Sequence, residues 1–243
     1  MFVVARAGMS ELAPENTMAA YLKCVDTGVG WFQADVRALA DNSLIMARDE
    51  EAARTTNGSG LFSQMEFGDL RRLDAGAWFS PTYRFERIPE LTSVVELLNS
   101  TALSANLELH VEDGASQARQ VFVETVAQVL QSLESPDRLL ISSRHPDLLS
   151  RLTSLGVQLP LALTVTDADV AGASKVASDL GCRAVILRDS DATQQSVAAL
   201  SADGLEVWVG VIDDLPRAVE LREWGVAAVI TDRAEELKAG LAD

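Results

Sequence analysis

Four polar residues that suit a metal or acid–base site occur at strand spacing in two separate apolar stretches. Gln33 and Asp35 lie two residues apart in the first stretch, and Glu108 and His110 lie two residues apart in the second. Because side chains at positions i and i+2 of a strand point to the same face, each pair projects together. Asp35 and Glu108 could ligate a divalent cation or could be salt-bridge partners. His110 could be a base, a ligand or a structural histidine.

The elements that must position these residues alternate along the chain. The pattern of apolar residues predicts nine strands: Phe2–Ala5, Trp31–Val36, Leu44–Ala47, Ala105–Val111, Arg138–Ser142, Leu159–Thr164, Ala184–Leu187, Glu206–Ile212 and Ala227–Ile230. It predicts helices over Pro14–Asp26, Leu91–Asn99, Ser116–Leu133, Pro146–Leu155, Asp167–Leu180, Ala192–Leu200, Leu215–Trp224 and Ala234–Leu241. Such alternation with short links indicates a parallel sheet covered by helices.

A chain of 243 residues suits a (β/α)8 TIM barrel that forms a single domain over residues 1–243. A closed barrel needs eight strands, so one of the nine must be peripheral, and the sequence does not show which. An open doubly wound sheet is the alternative, but no glycine-rich turn follows the first strand. The barrel is therefore the predicted fold.

Residues 50–87 interrupt the alternation with repeated glycine and proline. One short helix is predicted there, over Glu66–Leu73. The segment is too long for an ordinary connection, so we expect a small insertion after the third strand. Asn57–Gly60 looks like a phosphate-binding loop, but it lacks the Gly-Lys-Ser/Thr ending and is interpreted as a turn.

Functional residues of a barrel lie at the carboxyl ends of its strands. The polar residues in or just past predicted strands should therefore form one cluster at one mouth of the barrel. These residues are Arg6, Gln33, Asp35, Arg48, Glu108, His110, Arg188 and Trp208.

The formal charge of −16 and the pI near 4.5 argue against nucleic acid or an anionic membrane as a partner. No apolar run approaches the length that spans a bilayer, and no basic segment precedes the short apolar start. We expect a cytoplasmic protein without membrane insertion. Cys24 and Cys182 are expected to be reduced core residues.

Six motifs resemble those of the glycerophosphodiester phosphodiesterase family, in the same order and over nearly the whole chain. They are Pro14–Thr17, Arg54–Gly58, Leu73–Phe79, Ile88–Pro89, Val207–Trp208 and Ile230–Asp232. The resemblance implies a TIM barrel whose insertion spans residues 50–87. It also implies cleavage of a glycerophosphodiester, with a divalent cation, to an alcohol and glycerol 3-phosphate.

The positions that carry this chemistry depart from the family pattern. The pattern has its two acid–base histidines at Arg6 and Arg48. It has three metal-binding carboxylates at Gln33, Asp35 and Glu108, so two of the three are kept. A lysine of the pattern is replaced by His110. Arginine stays protonated at physiological pH and cannot act as a base, so the resemblance implies that these catalytic positions are inactive and that the metal position is empty.

The charges at these positions lead to a further expectation. Asp35 and Glu108 contribute −2, and Arg6 and Arg48 contribute +2, so the mouth is near neutrality without any cation. We therefore expect at least one of these arginines to form a salt bridge with Asp35 or Glu108, in a mouth without Mg²⁺ or Ca²⁺.

Four further residues match positions that support or line the family's site and are predicted to bind substrate: Glu15, Arg54, His110 and Trp208. Glu15 and Arg54 could simply pair with each other or cap locally. For Trp208, plain core packing is the alternative to a wall of the mouth.

Three functions remain open. The first is a family member with a degraded site, which binds a small phosphodiester or phosphate-like anion without a cofactor and with little or no hydrolysis. The second is an active hydrolase that uses Asp35, Glu108 and His110 with Mg²⁺ or Ca²⁺. The third is a structural or interaction protein with a vacant mouth.

Overall fold

The structure, a computed structural model, describes residues 1–111, 116–166 and 169–242. The strands in this part of the chain are β1 (Phe2–Ala5), β2 (Trp31–Ala38), β3 (Leu44–Met46), β4 (Ser104–Leu109), β5 (Leu139–Ser143), β6 (Leu161–Thr164), β7 (Ala184–Arg188), β8 (Glu206–Gly210) and β9 (Ala228–Thr231). The helices are α1 (Met18–Thr27), α2 (Phe67–Leu70), α3 (Leu91–Ser100), α4 (Ser116–Leu130), α5 (Pro146–Ser154), α6 (Val170–Asp179), α7 (Gln194–Ala202), α8 (Leu215–Glu223) and α9 (Ala234–Leu241).

Eight of the strands form a closed parallel barrel, which confirms the predicted (β/α)8 fold. Each neighbouring pair around the ring is parallel, and β1 closes the ring by pairing with both β9 and β2. The peripheral strand is β3, which runs antiparallel beside the end of β2 as the return arm of a hairpin. Asn42, with φ of 65°, takes the left-handed conformation that this tight turn needs.

Alternate residues of each parallel strand face opposite sides of the sheet. Outward-facing side chains such as Phe32 and Leu107 belong to the main apolar core that includes residues of the surrounding helices. Inward-facing side chains such as Val4 and Leu140 belong to a second apolar cluster, which fills the barrel interior. The inward register continues toward the carboxyl ends of the strands, where polar residues take over. Strand periodicity therefore places the functional side chains at one mouth.

The first helix starts later than its sequence pattern predicts. Pro14 was expected to open a helix, but α1 begins at Met18, after Thr17 accepts a hydrogen bond from the Ala20 amide as the N-cap. Asn16, which lies between Pro14 and Thr17, has φ of 54°, which is outside the helical region. The Asn16 side chain donates a hydrogen bond to Asp35 in the barrel. The turn that contains Asn16 is therefore part of the mouth, and the helix is shorter than predicted. The helix predicted from Asp167 begins at Val170, and Asp167 lies outside the described residues.

Residues 50–87 pack around a small apolar core of their own with the end of the β2–β3 hairpin. This core includes Ile45, Phe62 and Leu70. Its short helix, α2, covers Phe67–Leu70 instead of the predicted Glu66–Leu73, because Glu66 is the N-cap and the chain turns soon afterward. A Cβ on Gly76 would lie 1.9 Å from a backbone oxygen, so the fold of this segment requires glycine there. Across the described ranges, no helix is long and apolar enough to cross a membrane.

Candidate functional site

A cavity of about 770 Å³ opens at the carboxyl ends of the barrel strands. Most of the polar residues predicted to cluster there do line it, which shows how the closed sheet gathers residues that are far apart in sequence. These are Arg6, Gln33, Arg48, Glu108, His110 and Arg188. Arg54, which was predicted to bind substrate, also lines the cavity.

Asp35 lies at the base of this cluster and is almost fully buried. His110 lies just past β4, and its Nε2 is 2.7 Å from Asp35 Oδ1. The Asn16 amide donates to the other carboxylate oxygen at 2.9 Å, and the Tyr21 hydroxyl donates to Asn16 Oδ1 at 3.1 Å. Both oxygens of Asp35 are therefore engaged, and the imidazole is held in one orientation.

The ionisation of these groups is set by burial and by their mutual contacts. Burial disfavours the charged form of Asp35, but the hydrogen bond and charge of His110 outweigh it and hold the pKa of Asp35 below its ordinary value. Burial likewise disfavours imidazolium, but the bond to Asp35 raises the pKa of His110 above its ordinary value. The two groups thus stabilise each other as an ion pair.

Glu108 faces the same space and is held by Gln33. The Gln33 Nε2 donates to Glu108 Oε2 at 2.6 Å. Burial, with the nearby negative charge of Asp35 also contributing, raises the pKa of Glu108 above its ordinary value. The Gln33 amide therefore acts as a hydrogen-bond donor to a neighbouring carboxylate.

One group of side chains could hold a metal ion: Asp35, Glu108 and His110. Each offers one ligand atom, and these atoms all lie within 4.8 Å of one another. The family pattern had pointed to Asp35, Glu108 and Gln33 as ligand positions, whereas the second of the three open functions used Asp35, Glu108 and His110. Two carboxylates and one imidazole fit a divalent ion chemically, so this donor set is compatible with the metal that the resemblance implies.

Arg6 and Arg48 do not pair with these carboxylates, so the expected salt bridge to Asp35 or Glu108 is wrong. Arg6 donates from Nε and Nη2 to the two oxygens of Asp232, at 2.8 and 2.6 Å. The cause lies in the topology, because β1 is paired with β9 and each of these two residues follows its strand directly. His110 and Gln33 already occupy Asp35 and Glu108.

Arg48 lies at the rim of the cavity with an exposed side chain. It follows β3, which is outside the closed ring, so its backbone starts further from the barrel axis than that of Arg6. Its carbonyl oxygen accepts two hydrogen bonds from Arg37. Within the ranges that the structure describes, its guanidinium makes no salt bridge.

Glu15 and Arg54 pair with each other, as one sequence alternative proposed. Two nitrogens of Arg54 contact the two carboxylate oxygens of Glu15, each at 2.7 Å, and Arg54 Nε also contacts Asp49. These hydrogen bonds raise the pKa of the Arg54 guanidinium further above its ordinary value. The pair ties the turn before α1 to the segment after β3, beside the cavity.

Trp208 lies elsewhere, and its contacts are those of the core-packing alternative. Its side chain is 1% exposed and lies with its ring centroid 5.4 Å from that of Trp31, at the start of β2. Its indole nitrogen is 3.3 Å from Glu206, at the start of β8. Because parallel strands begin at the end opposite the mouth, Trp208 fills the lower part of the barrel and does not line the cavity.

The sequence analysis missed several residues that shape this mouth. Asp232 was noted only as part of a motif, yet it fixes Arg6. Asn16 was expected in a helix, yet it fixes Asp35. Arg37 and Arg144 also line the cavity. Their signal was position, since Arg37 continues the inward register of Gln33 and Asp35, and Arg144 directly follows β5.

Comparison with known proteins now adds to this geometry. Residues 7–236 match the model of the glycerophosphoryl diester phosphodiesterase family. The chain belongs to this family. The resemblance inferred from the motifs is confirmed.

Individual relatives agree with this membership. The Bacillus subtilis protein YhdW is 25% identical over 235 residues, which cover 96% of this chain and 94% of that protein. An Oleispira antarctica phosphodiesterase, solved in complex with the product sn-glycerol-3-phosphate, superposes with a TM-score of 0.93 at 26% identity and covers 100% of this chain and 97% of its own. A glycerophosphodiester phosphodiesterase of Agrobacterium tumefaciens has the same fold, with a TM-score of 0.82 at 24% identity and coverage of 98% and 99%.

Proposed function

We propose that the mouth of this barrel binds a small phosphate-bearing ligand, either a glycerophosphodiester or a glycerol phosphate, with little or no hydrolysis by the family route. The observation that carries the proposal is the charge of the cavity. Of the described residues that line it, six are arginines and four carry carboxylates, although the chain as a whole has a charge of −16. Even with Asp35 at its base, the cavity has more guanidinium than carboxylate groups, on a protein that is acidic as a whole. Such a concavity favours anions, and guanidinium suits phosphate.

Not every arginine is equally available to a ligand. Arg54 is held by two carboxylates, and Arg188 is 2.9 Å from Asp191. Arg6 keeps one terminal nitrogen outside its bidentate pair with Asp232, and Arg48 makes no salt bridge with any described residue. Arg144, which is exposed, likewise makes no salt bridge with any described residue. Arg48, Arg144 and the outer edge of Arg6 are therefore the groups that we assign to the phosphate. The product held by the Oleispira relative supports the ligand class.

The proposal of weak turnover rests on the same two arginines. They occupy the positions where the family pattern has acid–base histidines, and a guanidinium cannot accept a proton at physiological pH. General acid–base catalysis contributes on the order of a hundred- to ten-thousand-fold in rate. Loss of both groups should remove most of the rate enhancement.

A second candidate function is supported by the contacts of His110. This imidazole is 2.7 Å from Asp35 Oδ1 and is close to Glu108, so a titratable group is present in the mouth. A divalent ion held by Asp35, Glu108 and His110 would supply Lewis-acid stabilisation to a phosphodiester. In this reading Arg6 and Arg48 orient the phosphate, and the chain is a hydrolase with a rearranged site.

The deciding experiment measures turnover and binding together. The purified protein is assayed on glycerophosphocholine and on an aryl phosphodiester with Mg²⁺, with Ca²⁺ and with a chelator, while calorimetry measures binding of glycerol 3-phosphate. We expect binding without appreciable turnover, and weaker binding in Arg48→Gln than in Arg183→Gln, a control that lies at the opposite end of the barrel. Turnover at ordinary enzyme rates that the chelator abolishes would establish the second candidate. If the protein showed neither binding nor turnover, the third function, a structural or interaction protein with a vacant mouth, would remain.

A further inference from the structure

We propose that Asp35, Glu108 and His110 form a binding site that prefers a divalent transition metal ion, such as Co²⁺ or Zn²⁺, over Mg²⁺ and Ca²⁺. The inference concerns metal binding alone. It goes beyond the proposed function, and it can hold whether or not a phosphodiester is cleaved.

The first observation is that the two carboxylates are not neutralised by arginine. Arg6 is directed to Asp232, and Arg48 lies at the rim. Among the residues that the structure describes, His110 is the one basic group in contact with Asp35. Asp35 and Glu108 are also lateral neighbours in the β2–β4 register. A divalent ion bound there would be balanced by two carboxylates, so the site needs no third anion.

The second observation is the type of the third donor. Mg²⁺ and Ca²⁺ take oxygen ligands almost exclusively, and Ca²⁺ takes six to eight of them. Gln33, which stands in place of a third carboxylate, is turned so that its amide nitrogen donates to Glu108. The atom that completes the group is instead an imidazole nitrogen, and imidazole suits Zn²⁺, Fe²⁺, Ni²⁺ and Cu²⁺. The change of donor therefore shifts the preference away from hard cations.

The geometry allows this coordination after a small contraction. Ligand atoms bound to one ion at about 2.0–2.2 Å can be at most about 4.4 Å apart, and the three donors all lie within 4.8 Å of one another. Side-chain rotations that move the donor atoms by a few tenths of an ångström would bring them within this separation. On binding, His110 Nε2 exchanges its contact with Asp35 for the ion, and any proton on that nitrogen goes to solvent.

A third, independent observation is an unpartnered hydroxyl next to Glu108. Ser142 is the β5 neighbour of Glu108 in the register, and it is fully buried. It faces the barrel interior, as Leu140 does two residues earlier. Its Oγ has no hydrogen-bond partner in the described parts of the chain. Buried hydroxyls normally have partners, so a ligand such as metal-bound water is expected at this point.

The test uses protein without a polyhistidine tag, stripped of metal by a chelator and then dialysed. Co²⁺ is titrated and followed by its visible absorption, and Zn²⁺, Mg²⁺ and Ca²⁺ compete in separate experiments. We expect one Co²⁺ per chain, displaced by stoichiometric Zn²⁺ and retained in about a 100-fold excess of Mg²⁺ or Ca²⁺. Displacement of Co²⁺ by comparable concentrations of Mg²⁺ or Ca²⁺ would overturn the proposal, as would failure of Co²⁺ to bind.

The chain offers a matched control because it has two histidines. His110→Gln should weaken Co²⁺ binding by about 10- to 100-fold or more. His145→Gln, which alters the residue that precedes α5, should leave it unchanged. Gln33→Glu should strengthen Mg²⁺ binding by restoring a hard ligand. Equal affinities in the two histidine variants would refute the role of His110.

A measurement on the unaltered protein tests the role of His110 without depending on whether the variants fold. The electron spin-echo spectrum of the Cu²⁺-loaded protein reports coordinated imidazole nitrogen directly. We expect that signal in the unaltered protein and in His145→Gln. Its absence from the unaltered protein would exclude His110 as a ligand, whatever the variants do.

Discussion

The buried ion pair between Asp35 and His110 should be the strongest polar coupling that can be measured in this mouth. The perturbation is a double-mutant cycle with Asp35→Asn, His110→Gln and both changes together, in the presence of a chelator. The side chains are 3% and 13% exposed and their atoms are 2.7 Å apart. A charge-assisted hydrogen bond in such surroundings is worth about 1.5–3 kcal/mol, and this is the coupling energy that we expect.

Another ion pair of the same length provides the control. Arg151 and Glu124 are also 2.7 Å apart, but their side chains are 40% and 42% exposed. Exposed pairs contribute about 0–1 kcal/mol, so the corresponding cycle should give a much smaller coupling. Both cycles are measured by urea unfolding at pH 7, with the slopes checked for constancy. A coupling for Asp35 and His110 no larger than that of the exposed pair would refute the reasoning that burial makes this contact strong.

Three further predictions follow from other parts of the structure. Gln33→Glu alone should leave phosphodiester hydrolysis at background, whereas the same change with Arg6→His and Arg48→His should recover a trace, because groups that act as a unit are non-additive; substantial activity of the single variant would show that His110 works as a base. Trp208→Ala should lower the free energy of unfolding by about 3–5 kcal/mol and leave affinity for glycerol 3-phosphate unchanged, and a stable variant with lost affinity would contradict its placement in the core. The thiols of Cys24 and Cys182 should react with a disulfide reagent at pH 8 only after unfolding, because burial raises their pKa values to about 12 and about 11; rapid labelling of the native protein would argue against this burial.

The barrel could be predicted from the sequence because strand periodicity and alternation are local signals. Each strand was predicted to within two residues at either end. The ambiguity of nine strands for eight places was settled by hydrogen bonding, since β3 pairs antiparallel with β2 alone among the named strands. That pairing is set by a left-handed residue, Asn42, in the turn, and the apolar run of β3 carried no sign of it.

Most members of the site could be predicted, but the partners of Arg6, Asp35 and Glu108 could not. The rule that functional residues follow barrel strands placed most of them at one mouth. It did not say that Arg6 would turn to Asp232, which is 226 residues away and adjacent only because β9 closes on β1. The expectation that arginine takes the place of a cation rested on formal charges. Formal charges do not show which carboxylate is nearest to each guanidinium. Gln33, on β2, reaches Glu108 directly. His110, just past β4, reaches Asp35 directly.

Under the proposed function, an arginine at position 6 in place of a histidine changes the role of that position as well as its charge. A histidine there could exchange protons with a ligand, whereas this guanidinium is held at two points by a residue on the other side of the barrel closure. The Arg6–Asp232 pair therefore links the ends of β1 and β9, and one edge of the guanidinium remains available to an anion. Two described residues of the mouth could transfer a proton: His110, whose orientation is fixed by Asp35 from the β2 side, and Glu108, whose pKa is raised by burial. Under the proposed function, hydrolysis would depend on where a bound phosphate lies relative to His110, just past β4.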